Sequence, residues 1–228
     1  MLDFGFSYWW LILPAVVLSF WAQIKVMSTF AKYKKIETAK RITGADAARE
    51  ILRAYKVNDV PVEEVQGTLT DHYDPKQKVL RLSKDVYGSA TIAALGVAAH
   101  EVGHAIQHAK GYAPLMLRNT MYPVAALGTN LGPILVIIGF VLGFMKPLIL
   151  IGIILFTFAV IFTVITLPVE FDASKRAIKL LEGGNMLSGE ELVGAKKVLS
   201  AAALTYVAAA LTAILTLIRF ILMSRRED

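Results

Sequence analysis

The chain of 228 residues is 56% hydrophobic and 18% charged, whereas an average soluble domain is about 45–50% apolar and about 25% charged, so the composition is displaced toward lipid. It contains no cysteine, which excludes a disulfide scaffold, a cysteine zinc ribbon, a thiol nucleophile and an iron–sulfur cluster, and leaves four histidines for soft-metal chemistry. The 24 Lys+Arg against 18 Asp+Glu give a net charge of +6, which the basic loops of a membrane protein account for, so no nucleic-acid partner is expected.

Crossing about 30 Å of hydrocarbon takes roughly 20 helical residues, and four stretches are long and apolar enough. The first covers residues 8–27, with Tyr8, Trp9, Trp10 and Trp21 placed as interface anchors. It opens Met1-Leu2-Asp3 and is followed by positive charge, the reverse of a cleaved signal peptide, so a retained anchor is expected. The basic run Lys32, Lys34, Lys35, Lys40 and Arg41 reads as a solvated flank that sets topology, with an anionic-lipid surface as the alternative. Residues 28–121 then make a small cytoplasmic region of about 90 residues, expected to be braced against the membrane.

Within that region Thr43-Gly44-Ala45-Asp46 starts a helix whose apolar stripe is Ala47, Ile51, Leu52 and Tyr55. Residues 65–73 and 79–82 read as two strands of a hairpin around the turn Asp74-Pro75-Lys76-Gln77. Ser89 is placed to cap a helix over residues 89–110, with Gly111 as its stop. Two further spans, residues 124–145 and 148–169, are separated only by Lys146-Pro147, which forces an antiparallel hairpin with the proline as the stop. Residues 170–200 form a second polar helical segment. Residues 201–223, rich in alanine, make a fourth span suited to packing against other helices. Of the 24 basic residues, 19 lie in the two polar segments and Lys25 stands just before the first, so these segments should face the cytoplasm; Arg225 and Arg226, left outside by four strict crossings, conflict with that rule.

The chemistry lies in His100-Glu101-Val102-Gly103-His104. Histidines four apart share one helix face about 6 Å apart along the axis, a span that a single zinc bridges. Glu101, one position along, reaches a metal-bound water without ligating; it takes the proton and passes it to the leaving amine while the metal polarises the scissile carbonyl. About 0.003 matches to His-Glu-x-x-His are expected by chance in a chain of this composition, so the pattern is fairly specific. Ile92, Leu95, Val97, Ala98 and Ala99 make its helix unusually apolar, a setting in which unpaired ionisable groups seldom survive.

Zinc in a catalytic site takes a third protein ligand. His108 lies eight helical residues from His100, about 12 Å along the axis and too far to share the ion, unless the helix breaks after His104. His72, on the hairpin, has no particular reason to approach. Glu170 is favoured: the two matched arms of the 124–169 hairpin leave one membrane face and return to it, and Glu170 is the first acid after 68 residues without one. The alternative is a carboxylate that merely ends a span. Asp172 is a candidate to orient a histidine.

These residues resemble a known class. The motif, two transmembrane helices and then Glu170-Phe171-Asp172-Ala173-Ser174-Lys175-Arg176-Ala177 are similar to the gluzincin arrangement of HtpX-like membrane metallopeptidases, and nearly the whole chain resembles the YugP-like family of neutral zinc metallopeptidases. The resemblance implies His100, His104 and Glu170 as ligands of one zinc per chain and Glu101 as catalytic base. Gluzincins usually place an aspartate four residues after the ligand glutamate to support the first histidine; here Ser174 stands there, which leaves Asp172 or Ser174 in that role. The resemblance also implies an edge strand beside the zinc for an extended substrate, which residues 65–82 are placed to supply. Candidate oxyanion donors are His72, His108, Tyr112, Tyr122 and Arg176.

The expectation is thus a mainly α, multi-pass membrane protein of about four transmembrane helices, with a small cytoplasmic α+β zincin-like domain containing a short β-hairpin. Its expected function is zinc metalloendopeptidase activity in the bacterial plasma membrane, with the site at the cytoplasmic face and peptides, misfolded proteins or membrane proteins as substrates. The alternative is a catalytically silent zinc-binding scaffold, to which the Ser174 departure lends support. A transporter is disfavoured because the spans carry almost no acids or histidines to relay an ion.

Overall fold

The structure, a computed structural model, describes residues 8–225; Met1-Leu2-Asp3 and Arg226 lie outside the described residues. The chain is mainly helical, and four helices are long and apolar enough to cross a membrane: Trp9–Tyr33, Ala113–Val141, Lys146–Gly183 and Gly189–Ser224. The regular part of the first, α1, is Leu13–Tyr33, and the other three are α5, α6 and α7. Between α1 and α5 come α2 (Gly44–Ala54), β1 (Val62–Val65), β2 (His72–Asp74), β3 (Val79–Ser83), α3 (Lys84–Tyr87) and α4 (Ile92–Ala109). The chain divides into two compact units, one of residues up to Ala22, Met116–Pro168 and from Thr205 onward, the other of Gln23–Leu115 and Val169–Leu204.

The first unit is a helical assembly around Val136, Phe140, Ile149, Phe156 and Phe220, with Phe156 and Phe220 edge to face at 5.5 Å. The α5–α6 connection differs from the sequence expectation. It lies at Leu142–Met145, where Gly143 and Phe144 take φ of 76° and 61°. Lys146 and Pro147 open α6 instead of ending α5, because a helix's first N–H groups have no intrahelical partner and proline costs nothing there.

The second unit packs α2, α3 and α4 with a three-stranded sheet and the polar ends of the long helices around one core. Thr43 caps α2 by accepting from the Asp46 N–H, as its sequence suggests. The cap of α4 is Thr91, not Ser89, and its side chain accepts from the Ala94 N–H. Residues 89 and 90 are drawn out of the helix because their carbonyls accept from the Gly44 and Thr38 N–H groups.

The sheet order is β1-β3-β2, with β1 parallel and β2 antiparallel to the buried central strand β3. The β2–β3 hairpin turns at Asp74, whose Oδ1 accepts from the Lys76 and Gln77 N–H groups at 2.8 and 3.1 Å. The single strand expected over residues 65–73 is really two: Leu69 at φ 57° turns the chain out of extended geometry. Asp71 then accepts from both the N–H and the hydroxyl of Ser83, tying the entry of β2 to the end of β3.

Helix α4 meets α6 at Gly103, where an added Cβ would stand 2.9 Å from the Ala173 carbonyl oxygen. Glycine at this inner position of the motif is what lets the α6 backbone come close. Gly103→Ala is therefore expected to destabilise the fold by about 1–3 kcal/mol, read as a lower melting temperature in detergent; an unchanged melt would mean that the two helices separate freely.

Candidate metal centre

Helix α4 carries His100, Glu101 and His104, and α6, continuing past Val169 to Gly183, carries Glu170, Asp172 and Ser174. The 3.6-residue period stacks the two histidines one turn apart, with ring centroids 4.8 Å apart and edge to face. His100 Nε2 lies 3.2 Å and His104 Nε2 3.5 Å from Glu170 Oε2. One ligand atom from each of the three residues lies within 4.8 Å of the others. His104 and Glu170 are buried, Glu170 to 3% exposure, a setting in which a carboxylate needs a cation or donors beside it.

Both histidines are held from behind, and this is what fits the donor set to a metal. The His104 Nδ1–H donates to Gln107 Oε1 at 3.0 Å, and Gln107 Nε2 donates to the Val169 carbonyl at 2.9 Å and to Asp172 Oδ2 at 2.8 Å. Two acceptors on one side of the amide and an imidazole N–H on the other fix its orientation, since a flip would set oxygen against oxygen. The proton of His104 therefore belongs on Nδ1, which leaves the Nε2 lone pair facing Glu170 and His100. Ser174 Oγ stands 3.2 Å from His100 Nδ1 and is placed to accept its proton in the same way. Arg176 Nε donates to Asp172 Oδ2, closing the chain of contacts.

Glu101 stands outside the three-residue cluster. Its Oε2 accepts the Tyr73 N–H of edge strand β2 at 3.0 Å. Burial raises its carboxyl to about 7, an effect that the neighbouring His100 opposes and Glu170 and Asp71 reinforce. The Tyr73 hydroxyl, pushed up to about 12 by burial and by Asp59 and Asp74, stays protonated and shares a hydrogen bond with His108 Nδ1 at 2.8 Å.

Of the other residues singled out in the sequence, His108 thus pairs with Tyr73, away from the cluster, because α4 runs unbroken to Ala109. His72 is exposed and its Nδ1 bonds the Thr70 carbonyl. Arg176 lies 5.8 Å over the Tyr112 ring and is tied to Asp172. Tyr122 belongs to the other unit, exposed, with its ring 6.1 Å from Phe162. Gln107 was not foreseen, although positions 100, 104 and 107 follow one another at helical spacing. Gln107→Leu is expected to weaken zinc binding about 10–100-fold by freeing the His104 ring, measured by chelator competition; unchanged affinity would reduce Gln107 to a packing role.

A mainly helical chain with four helices apolar enough to cross a bilayer, and a buried pair of histidines facing a buried carboxylate, defines a membrane-type protein with a site that could hold a metal ion. The chain belongs to the family described as "Putative neutral zinc metallopeptidase", which matches residues 8–225. It is similar to "Putative membrane protease YugP" of Bacillus subtilis (strain 168), 51% identical over 213 residues that cover 93% of this chain and 94% of that relative. No solved structure matches the chain.

Proposed function

We propose that this protein is a multi-pass membrane zinc endopeptidase in which His100, His104 and Glu170 hold one zinc ion and Glu101 is the general base. The observation that carries the reading is the convergence of two oriented Nε2 atoms and one buried carboxylate within 4.8 Å, in a family whose description names zinc and peptidase. Zinc, when bound, supplies a Lewis acid that polarises the scissile carbonyl and acidifies water. Gln107 and Ser174 keep the two imidazoles aimed. Glu101, a neighbour of His100 but not a member of the donor cluster, takes the proton of the attacking water at a carboxylate oxygen and returns it to the leaving amide nitrogen. An extended peptide adds to the free side of β2, exchanging backbone hydrogen bonds with the strand that already contacts Glu101.

The concentration of basic residues in the polar segments supports a site at the cytoplasmic face, and the likeness to a Bacillus subtilis relative supports a bacterial plasma membrane. Peptide segments of misfolded or membrane proteins are the expected substrates, and no nucleic-acid partner is. The test is cleavage of an unfolded protein by the detergent-purified chain. Cleavage should stop on treatment with a zinc chelator and return with one equivalent of Zn2+. Cleavage indifferent to the chelator would overturn the metal mechanism. Zinc held without any cleavage would favour a silent scaffold instead, although the Ser174 hydroxyl, 3.2 Å from His100 Nδ1, still orients that ring without the charge an aspartate would add.

A further inference from the structure

A groove of about 720 Å³ runs between α1 and α7 within the second unit, a volume inside the range of about 300–1,000 Å³ typical of small-molecule sites. Lys25 and Lys32 line it from α1, Lys196 and Lys197 from α7, and no acidic residue lines it. On α1 the lining follows the i, i+3, i+4, i+7 pattern of one helix face, Lys25, Ser28, Thr29 and Lys32. Ser200 faces it from α7. None of the four lysines has a carboxylate partner among the described residues, whereas Lys34, just past Lys32 and Tyr33, is paired with Asp85 at 3.2 Å. All four lysines are exposed, so the groove is a solvent-open cluster of cations with no acid in its lining to offset them.

Its place in the sequence says what occupies it. Lys25 directly follows residues 8–24, which contain no charge, and Leu204, at the other end of the lining, lies within residues 198–218, which contain none either. Both helices change from polar to span-forming at the groove, so it offers cations and hydroxyls beside walls of Val193, Ala201 and Leu204. A free phosphate would use only the polar half of such a site. We infer that the Lys25, Lys32, Lys196 and Lys197 groove binds the phosphate headgroup of an anionic phospholipid, its acyl chains leaving past the apolar wall of Val193, Ala201 and Leu204.

The full chain, reconstituted in phosphatidylcholine bilayers containing a minority of phosphatidylglycerol and released into native mass spectrometry, tests this through the lipids that remain attached. The wild type is expected to enrich phosphatidylglycerol about ten-fold over its share of the bilayer. The variant K25Q/K32Q/K196Q/K197Q should fall to no enrichment, and K35Q/K40Q/K56Q/K84Q, which removes equal charge elsewhere, should behave as wild type. If the first variant does not fold, K196Q/K197Q is expected to show partial loss. No enrichment by the wild type, equal loss in both four-site variants, or wild-type enrichment in every lysine variant of the groove would overturn the proposal. So would displacement of the lipid by millimolar inorganic phosphate, which would mark a site for soluble anions.

Discussion

Glu101→Gln is expected to lower kcat for peptide cleavage by about 10²–10⁴-fold, the usual worth of a positioned general base, while zinc content and melting temperature stay at wild-type values. The substitution is close to isosteric, and the amide oxygen still accepts the Tyr73 N–H that Glu101 accepts at 3.0 Å. What it removes is the capacity to take a proton. Glu101 is not a member of the His100, His104 and Glu170 cluster, so the donor set is untouched. A side chain that merely braced β2 against α4 would give the opposite pattern, a lower melt with activity in proportion to folded protein. Cleavage within a few-fold of wild type, at full zinc occupancy, would remove Glu101 from the reaction.

The parts of the site that the sequence made legible are those encoded by helical periodicity. His100 and His104 stack because they are four residues apart on a helix, and Glu170 is legible because the hairpin returns the chain to the face it left and this is the first acid after 68 residues without one. Gln107 escaped notice although it extends the same spacing, since an amide carries no signature of metal chemistry until the elements it bridges are placed. Hydropathy marked four long apolar helices but not their ends: α6 continues through residues 170–183, and that extension carries Glu170, Asp172 and Ser174. Strand β1, Val-Glu-Glu-Val, lacks the alternation that marks a strand locally and exists because it pairs in parallel with β3. The Thr91 cap likewise depends on partners far along the chain, since residues 89 and 90 are held by Gly44 and Thr38.

Glu170→Ala is expected to take the detergent-purified protein from about one zinc per chain to almost none after mild dialysis, whereas His108→Ala keeps its zinc. Losing one of three protein donors leaves two imidazoles, and a site whose binding free energy is shared among few ligands has little to spare. Melting gives an independent readout, because a metal that binds only the folded chain stabilises it by mass action. Added Zn2+ should raise the melting temperature of wild type and of His108→Ala but leave that of Glu170→Ala where it was. His108 is spared because α4 does not break between His104 and Ala109, so its ring meets the Tyr73 hydroxyl at 2.8 Å and not the cluster. The reverse result, zinc retained without Glu170 and lost without His108, would require α4 to unwind after His104 in the metal-bound state, and with it the contact between Gln107 and His104 would have to be given up.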